Sequence, residues 1–311
     1  DQSDGMVIDT ALAFGEHGDA MLVWSAIPGL GDEPEAFIHR AAGADLFYSR
    51  MEVGTNTWSD PQIITGDNRP DFSPAIASDG EGRMVLTWVR DMDGNVLTSD
   101  DIVVFATEWL VGRWTLPVPV MATSGALSGL SVSVKSGTAV VGMISDKLGT
   151  GRSINLSFNS LGRWSPVNVV AAGRQSLTEV SVLMDKPGLA TVVWSEHEGE
   201  GADSRIIAVE ATSAGVRGEN VVANYVNGLV GLSLINVSGS SHLVWVDDDG
   251  STLHANSKGL DGWTSPSSTD ISSGRSTRFV TTPGYDGGLL TFHETINDGT
   301  PGISVVPLKV R

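Results

Sequence analysis

The amino-acid sequence predicts an all-β protein, a six-bladed β-propeller made of four-stranded antiparallel blades. Three observations support this prediction. An apolar run ending in an aromatic residue recurs along the chain, a Gly-x-Trp-Ser/Thr turn recurs between those runs, and no stretch shows helical periodicity. The spacing of about fifty residues is typical of propeller blades, each of which contributes four short strands.

The two recurring features alternate strictly along the chain. The aromatic residues that end the apolar runs are Trp24, Trp88, Trp194 and Trp245, with Ile144 and Phe292 in the two remaining places. The turns contain Trp58, Trp114, Trp164 and Trp263, with a degenerate copy near Arg217. The two sets account for eight of the nine tryptophans as blade packing. Trp109, the exception, is expected to pack at a blade edge, and stacking on a sugar is the alternative.

Within each unit, Val, Ile and Leu alternate with Ser, Thr and Ala, which is the period of β-strands. We expect one propeller domain over residues 1–311, with the last blade closed by residues 1–8, where Met6-Val7-Ile8 is the candidate fourth strand. The alternative is that the chain is a piece of a longer protein. The predicted blades are 9–65, 72–121, 128–171, 177–223, 228–270, and 275–309 with 1–8.

The repeated turns resemble those of the sialidase-like propellers, the BNR or Asp-box group. The nearest copy runs from Ser157 to Trp164 and has Asn159 where the family has Asp. The resemblance implies the propeller fold, but Asp-boxes are structural turns and carry no chemistry. Sialidases use three arginines, a Tyr–Glu pair and an Asp acid/base. Of Tyr48, Tyr225 and Tyr285 only Tyr225 lies in an upper-face loop, and the Phe-Arg-Ile-Pro signature of the family is absent, so sialidase activity is not predicted.

Composition restricts the classes of partner. The net charge of −18 disfavours nucleic acid and anionic membranes, and no apolar run is long enough for membrane insertion. Cysteine is absent, which excludes a disulfide or a cysteine nucleophile. We expect an extracellular, cell-surface or periplasmic protein with a glycan or protein partner; the sequence does not predict an oligomeric state.

Nearly half of the acidic residues fall in loops between the second and third strands of the blades, on the same face as the loops that link blades. We expect this acidic face to bind the partner. The candidate binding residues are Asp91, Asp93, Asp101, Glu196, Glu198 and Asp203, with Arg69, Arg275 and Arg278 from the linking loops.

Two further sets of residues are candidates for chemistry. Glu179 and Asp71, at the starts of inner strands, could serve as the paired carboxylates of a glycosidase or lyase, although ordinary salt bridges are the alternative. Asp91, Asp93 and Asn95 alternate as oxygen donors suited to calcium, and turn chemistry is the alternative. No cofactor is required, and calcium is the candidate.

Three functions stay open from the sequence. The first is a non-catalytic binding propeller that recognises a glycan or a protein through its acidic loops. The second is a carbohydrate-active enzyme, a glycoside hydrolase or lyase, on a sialidase-like propeller. The third is a structural module of a larger extracellular assembly.

Overall fold

A computed structural model of the chain consists almost entirely of antiparallel β-sheet. No helix in its described part is long and apolar enough to cross a membrane. The chain divides into two compact units, Asp1–Gln175 with Lys186–Leu189 and Thr212–Gly215, and Ser176–Asp185 with Ala190–Ala211 and Val216–Arg311. The structure describes residues 5–15, 19–27, 40–52, 54–55, 57–122, 125–174, 176–197, 204–225, 229–237, 239–247, 249–259, 262–271, 275–283, 289–297 and 300–308.

The first unit contains three sheets, in which consecutive strands pair, except that the last strand of the second and third sheets pairs with the strand two before it. The first sheet consists of β1 (Met6–Phe14), β2 (Ala20–Ile27), β3 (Asp45–Met51) and β4 (Gln62–Ile63). The second consists of β5 (Asp71–Ser78), β6 (Met84–Asp91), β7 (Ile102–Leu110), β8 (Arg113–Trp114) and β9 (Val118–Ala122). The third consists of β10 (Ala126–Lys135), β11 (Thr138–Lys147), β12 (Gly151–Ser160), β13 (Arg163–Trp164) and β14 (Asn168–Arg174).

The second unit begins with β15 and follows the same pattern through three more sheets. The fourth sheet consists of β15 (Leu177–Lys186), β16 (Leu189–His197), β17 (Ser204–Thr212) and β18 (Gly215–Tyr225). The fifth consists of β19 (Leu229–Val237), β20 (Ser240–Asp247), β21 (Thr252–Gly259), β22 (Gly262–Trp263) and β23 (Ser267–Asp270). The sixth consists of β24 (Arg275–Pro283), β25 (Leu289–Asn297) and β26 (Thr300–Leu308).

The predicted all-β architecture of successive antiparallel sheets is therefore confirmed, with three strands in the described part of the sixth sheet. The N-terminal segment differs from expectation. Met6 and Val7 pair with Ile27 and Ala26 of β2, so Met6–Ile8 begins the first inner strand instead of forming the fourth strand of the last blade. Residues 1–4 of the expected closing segment lie outside the described residues. The sequence did not distinguish the two positions, because inner and outer strands have the same alternation of side chains. That residues 1–311 form one domain stays a prediction.

Within each unit, consecutive sheets pack face to face. Met21 and Leu46 of the first sheet share a core with Leu86 and Trp88 of the second. Leu183 of the fourth sheet packs in the same way with Trp245 of the fifth. Each fully buried large side chain stabilises the fold by about 2–3 kcal/mol, which explains why the apolar runs end in bulky residues.

The repeated Gly-x-Trp-Ser/Thr turn is held by the hydroxyl after its tryptophan. Thr115 Oγ1 accepts the Glu108 amide at 3.0 Å, while Thr107 Oγ1 donates to the Thr115 carbonyl at 2.7 Å. In the other copies of the turn, the hydroxyl oxygens of Ser59, Ser165 and Thr264 accept the backbone amides of Arg50, Phe158 and Ser257 in the same way. Trp109 is buried and meets Tyr48 edge to face, with ring centroids 5.6 Å apart, as expected of a packing residue.

Candidate functional site

Five inner strands, β1, β5, β10, β19 and β24, have a β-bulge or similar irregularity near their first residues. A bulge turns side chains away from the regular alternation and often marks a site at the rim of a sheet. In the first unit, Ser73 adopts φ 51° at this point and its Oγ lies 3.4 Å from Oδ2 of Asp9 on the neighbouring inner strand. The register shifts lie between Val7 and Asp9, Phe72 and Ala75, Ser128 and Ser131, Leu229 and Gly231, and Ser276 and Arg278.

Asp71, at the start of β5, is fully buried in a polar cluster. Its Oδ1 accepts hydrogen bonds from Arg90 Nε at 2.8 Å and Trp88 Nε1 at 2.6 Å, and its Oδ2 accepts Arg90 Nη2 at 2.8 Å. Arg90 also donates to Asp67 at 2.9 Å and lies 5.0 Å from the ring centre of Phe105. Asp71 and Arg90 are direct partners across β5 and β6, so the strand register itself aligns the pair.

This arrangement makes Asp71 a structural residue. Both carboxylate oxygens are bound and none of the side chain is exposed, so Asp71 cannot contact a substrate. The interpretation of Asp71 as one of two catalytic carboxylates therefore loses its geometric basis. The cluster instead affects Asp45, whose pKa is raised to about 6, first by burial and then by the charges of Asp71 and Asp67.

Glu179, the other candidate carboxylate, lies in β15 at the place that Ser73 occupies in β5. Thr178 Oγ1 meets Ser195 Oγ at 2.5 Å across the strands, just as Phe72 pairs with Val89 in the second sheet. Glu179 is therefore the next residue along, in the position that corresponds to Ser73.

The carboxyl of Glu179 is half-buried and makes no hydrogen bond or ion pair with the described residues. Burial alone raises its pKa to about 7. At neutral pH this carboxyl is therefore protonated in a large fraction of molecules, and it can both donate and accept a hydrogen bond.

Glu196 belongs to the structure of its own hairpin. It is buried, and its two oxygens accept Trp194 Nε1 at 3.1 Å and Arg205 Nε at 2.8 Å. A similar ion pair, Arg152 to Asp146 at 2.9 Å, ties the hairpin of β11 and β12. Some of the acidic residues expected to form a binding face are thus held in pairs that close the second-to-third-strand hairpins.

The loop between β6 and β7 brings three carboxylates together. One oxygen from each of Asp91, Asp93 and Asp101 lies within 4.8 Å of the others. Oδ1 of Asp91 accepts the Gly94 amide at 2.8 Å, whereas its Oδ2 is buried without a hydrogen-bond partner. Burial, together with Asp101 and Asp93, raises the pKa of Asp91.

Asn95 has a different role from the one expected. Its side-chain Oδ1 accepts the backbone amide of Leu97 at 3.4 Å, and its backbone amide donates to Asp93 Oδ1 at 2.7 Å. Asn95 therefore shapes the turn. Asp101 joins Asp91 and Asp93 although the sequence motif does not include it. The only signal for it was the Asp-Asp pair at the start of β7.

The remaining predicted residues are not brought into a described cluster. Arg69 is exposed, with Nη1 3.9 Å from Met92 Sδ. The backbones of Arg275 and Arg278 lie in β24 opposite Ile296 and Glu294. Glu198 and Asp203 lie outside the described residues.

A cavity of about 360 Å³ lies at the other end of the first two sheets, at the repeated turns. Arg50, Gln62, Trp58 and Trp109 are among its lining residues, and Trp58 is 44% exposed. Sequence reasoning missed this cavity because it assigned all the repeat tryptophans to packing.

No protein-family model and no curated protein sequence matches this chain. Solved structures do match. A Hadza microbial sialidase has a TM-score of 0.60 at 14% identity, over 92% of this chain and 63% of its own. A Trypanosoma rangeli sialidase in complex with sialic acid has a TM-score of 0.59 at 11% identity, over 97% of this chain and 54% of its own.

A third match, a Penicillium chrysogenum α-L-arabinanase complexed with arabinobiose, has a TM-score of 0.61 at 13% identity, over 97% of this chain and 93% of its own. At such identities the likeness establishes the fold, which is that of the sialidase-like β-propellers. The chain spans less than two thirds of the length of the two sialidases.

Proposed function

We propose that this chain is a non-catalytic, extracellular glycan-binding propeller that contacts its sugar at the start of the inner strands, with Glu179 as a principal contact. The observation that carries the proposal is the carboxyl of Glu179, half-buried, without a partner among the described residues, and with a pKa of about 7. The fold is consistent with this use, since structures that share it include sugar complexes.

A neutral carboxyl suits a sugar for a simple reason. Each sugar hydroxyl both donates and accepts a hydrogen bond, and a protonated carboxyl offers the same pair of functions. A polar group that is half-buried and unpaired costs free energy in the unbound protein. A ligand that forms hydrogen bonds with this carboxyl removes that cost, which favours binding at the site.

A second candidate function is a glycoside hydrolase with Glu179 as the general acid. The pKa near 7 favours this role, because a general acid must be protonated near the working pH. Such an enzyme also needs a second carboxylate about 5–9.5 Å away. Asp71 is committed to Arg90 and Trp88, so binding without hydrolysis is the preferred function.

A glycan array that includes sialylated and arabinan oligosaccharides tests the proposal. We expect the full chain to bind a subset of glycans and Glu179→Ala to bind them about tenfold more weakly, the effect of about one lost hydrogen bond. Glu81→Ala is the matched control, because Glu81 is exposed in the turn between β5 and β6. Failure of the wild-type chain to bind any glycan on the array would contradict the proposal.

Assay of released sugar on the glycans that bind distinguishes the two functions. A non-catalytic protein leaves them intact. If the wild type cleaves a glycan and Glu179→Gln binds it without cleavage, the hydrolase function replaces the binding one.

A further inference from the structure

The loop between β6 and β7 encloses negative charge that nothing in the described structure neutralises. Asp91 is 1% exposed, and its Oδ2 has no hydrogen-bond partner. Both carboxylate oxygens of Asp101 are likewise buried without partners. Among the described residues, no ion pair reaches Asp91, Asp93 or Asp101. These three buried carboxylate oxygens of Asp91 and Asp101 are costly without a donor unless a cation joins them.

Two arginines beside the loop form no ion pair with its three carboxylates. Arg90, next in the chain to Asp91, donates to Asp71 and Asp67. Arg69 reaches the loop at Met92, where its Nη1 meets the thioether sulfur at 3.9 Å. Neither arginine therefore neutralises a carboxylate of the loop by direct contact in the described structure.

We propose that Asp91, Asp93 and Asp101 bind a calcium ion. Ca²⁺ takes six to eight oxygen ligands at about 2.3–2.6 Å, so two ligands of one ion lie at most about 5 Å apart. The three carboxylate oxygens lie within 4.8 Å of one another, which meets that limit. Carbonyl oxygens of the irregular loop and water supply the remaining ligands, as is usual for calcium in loops.

The backbone of the loop supports this role. The Gly94 amide fixes Oδ1 of Asp91 at 2.8 Å and leaves Oδ2 without a hydrogen-bond partner. The Asn95 amide fixes Oδ1 of Asp93 at 2.7 Å. Two of the three ligands are thus oriented before the ion arrives. Bound calcium would tie the beginning of β7 to the end of β6, and this proposal is independent of the glycan-binding proposal.

Calorimetric titration of the chelator-treated full chain with CaCl₂, together with its melting temperature with and without calcium, tests the site. We expect measurable binding heat and a rise in melting temperature of a few degrees for the wild type. Asp101→Asn should bind about tenfold more weakly or undetectably, because affinity follows the number of charged ligands. Asp93→Asn should behave in the same direction.

The matched control is Asp100→Asn, which removes the same charge from the exposed neighbour of Asp101 and should keep the calcium response. Without calcium, Asp101→Asn should melt higher than the wild type, because one uncompensated carboxylate is gone. A wild type that shows neither heat nor a melting shift would overturn the site, as would an Asp101→Asn variant with the full response. An equal response to MgCl₂ would overturn the choice of calcium.

Discussion

Arg90 donates two hydrogen bonds to Asp71 inside the second sheet, from Nε to Oδ1 at 2.8 Å and from Nη2 to Oδ2 at 2.8 Å. The two residues are direct cross-strand partners, and Trp88 donates a third hydrogen bond to the same carboxylate. A bidentate pair of this kind fixes geometry as well as charge. The pair therefore links the end of β6 to the start of the inner strand β5.

Removal of Arg90 should be strongly destabilising. Arg90→Met leaves the carboxylate of Asp71 buried without its cation, and we expect the free energy of unfolding to fall by about 3–5 kcal/mol. Denaturation in urea measures this change. Arg113→Met, at an exposed position in β8, should stay within about 0.5 kcal/mol of the wild type. A loss below about 1 kcal/mol in Arg90→Met would show that the pair does not support the fold.

Glu179 should make stability depend on pH. Its folded pKa of about 7 exceeds the ordinary value of 4.5, so between these values the folded chain holds a proton that the unfolded chain lacks. Wild-type stability therefore falls as the pH rises through this window. Glu179→Gln stays neutral, and its advantage over the wild type should grow from near zero at pH 4.5 to about 3 kcal/mol at most at pH 8.

Denaturation curves of the two proteins across pH 4.5–8 test this prediction. Glu81→Gln, in the exposed turn, should track the wild type to within about 0.5 kcal/mol at every pH. A constant difference between Glu179→Gln and the wild type would contradict the burial-induced shift.

The turn between β12 and β13 offers a stabilising substitution. Leu161 is 94% exposed at φ 52° and is followed by Gly162 at φ 76°, which is the backbone of a type I′ turn. Asparagine tolerates this conformation better than leucine, so Leu161→Asn should raise the free energy of unfolding by about 0.5–1 kcal/mol. Thermal melting against the exposed control Leu116→Asn measures the gain. Equal melting temperatures for the two variants would show that the positive φ of Leu161 does not strain the turn.

The fold could be predicted from the sequence because its signals are local. The hydroxyls of Ser59, Thr115, Ser165 and Thr264 each bond an amide less than ten residues away, so each turn is encoded within a short segment. The role of Met6–Ile8 was not encoded in this way. Strand alternation fixes which residues face the core, but it does not say which neighbouring strand they pair with.

The site was less predictable, because a carboxylate's role depends on its partner. Asp71 and Glu179 both read as acids at the start of an inner strand, and only the register shows that Arg90 lies opposite Asp71. Asp101 joins Asp91 across an irregular loop whose path no periodicity describes. In the sequence Glu196 resembles a surface acid, but in the structure Arg205, nine residues later, donates a hydrogen bond to its carboxylate.

The pH dependence of glycan affinity tests the central claim about Glu179 most directly. For an oligosaccharide that the chain binds, calorimetric titration should show affinity that falls as the pH rises through about 7, since the carboxyl then loses the proton that it donates to the sugar. Glu179→Gln should bind with an affinity that does not change over this range. A wild-type profile as flat as that of Glu179→Gln would contradict the claim that Glu179 contacts the glycan.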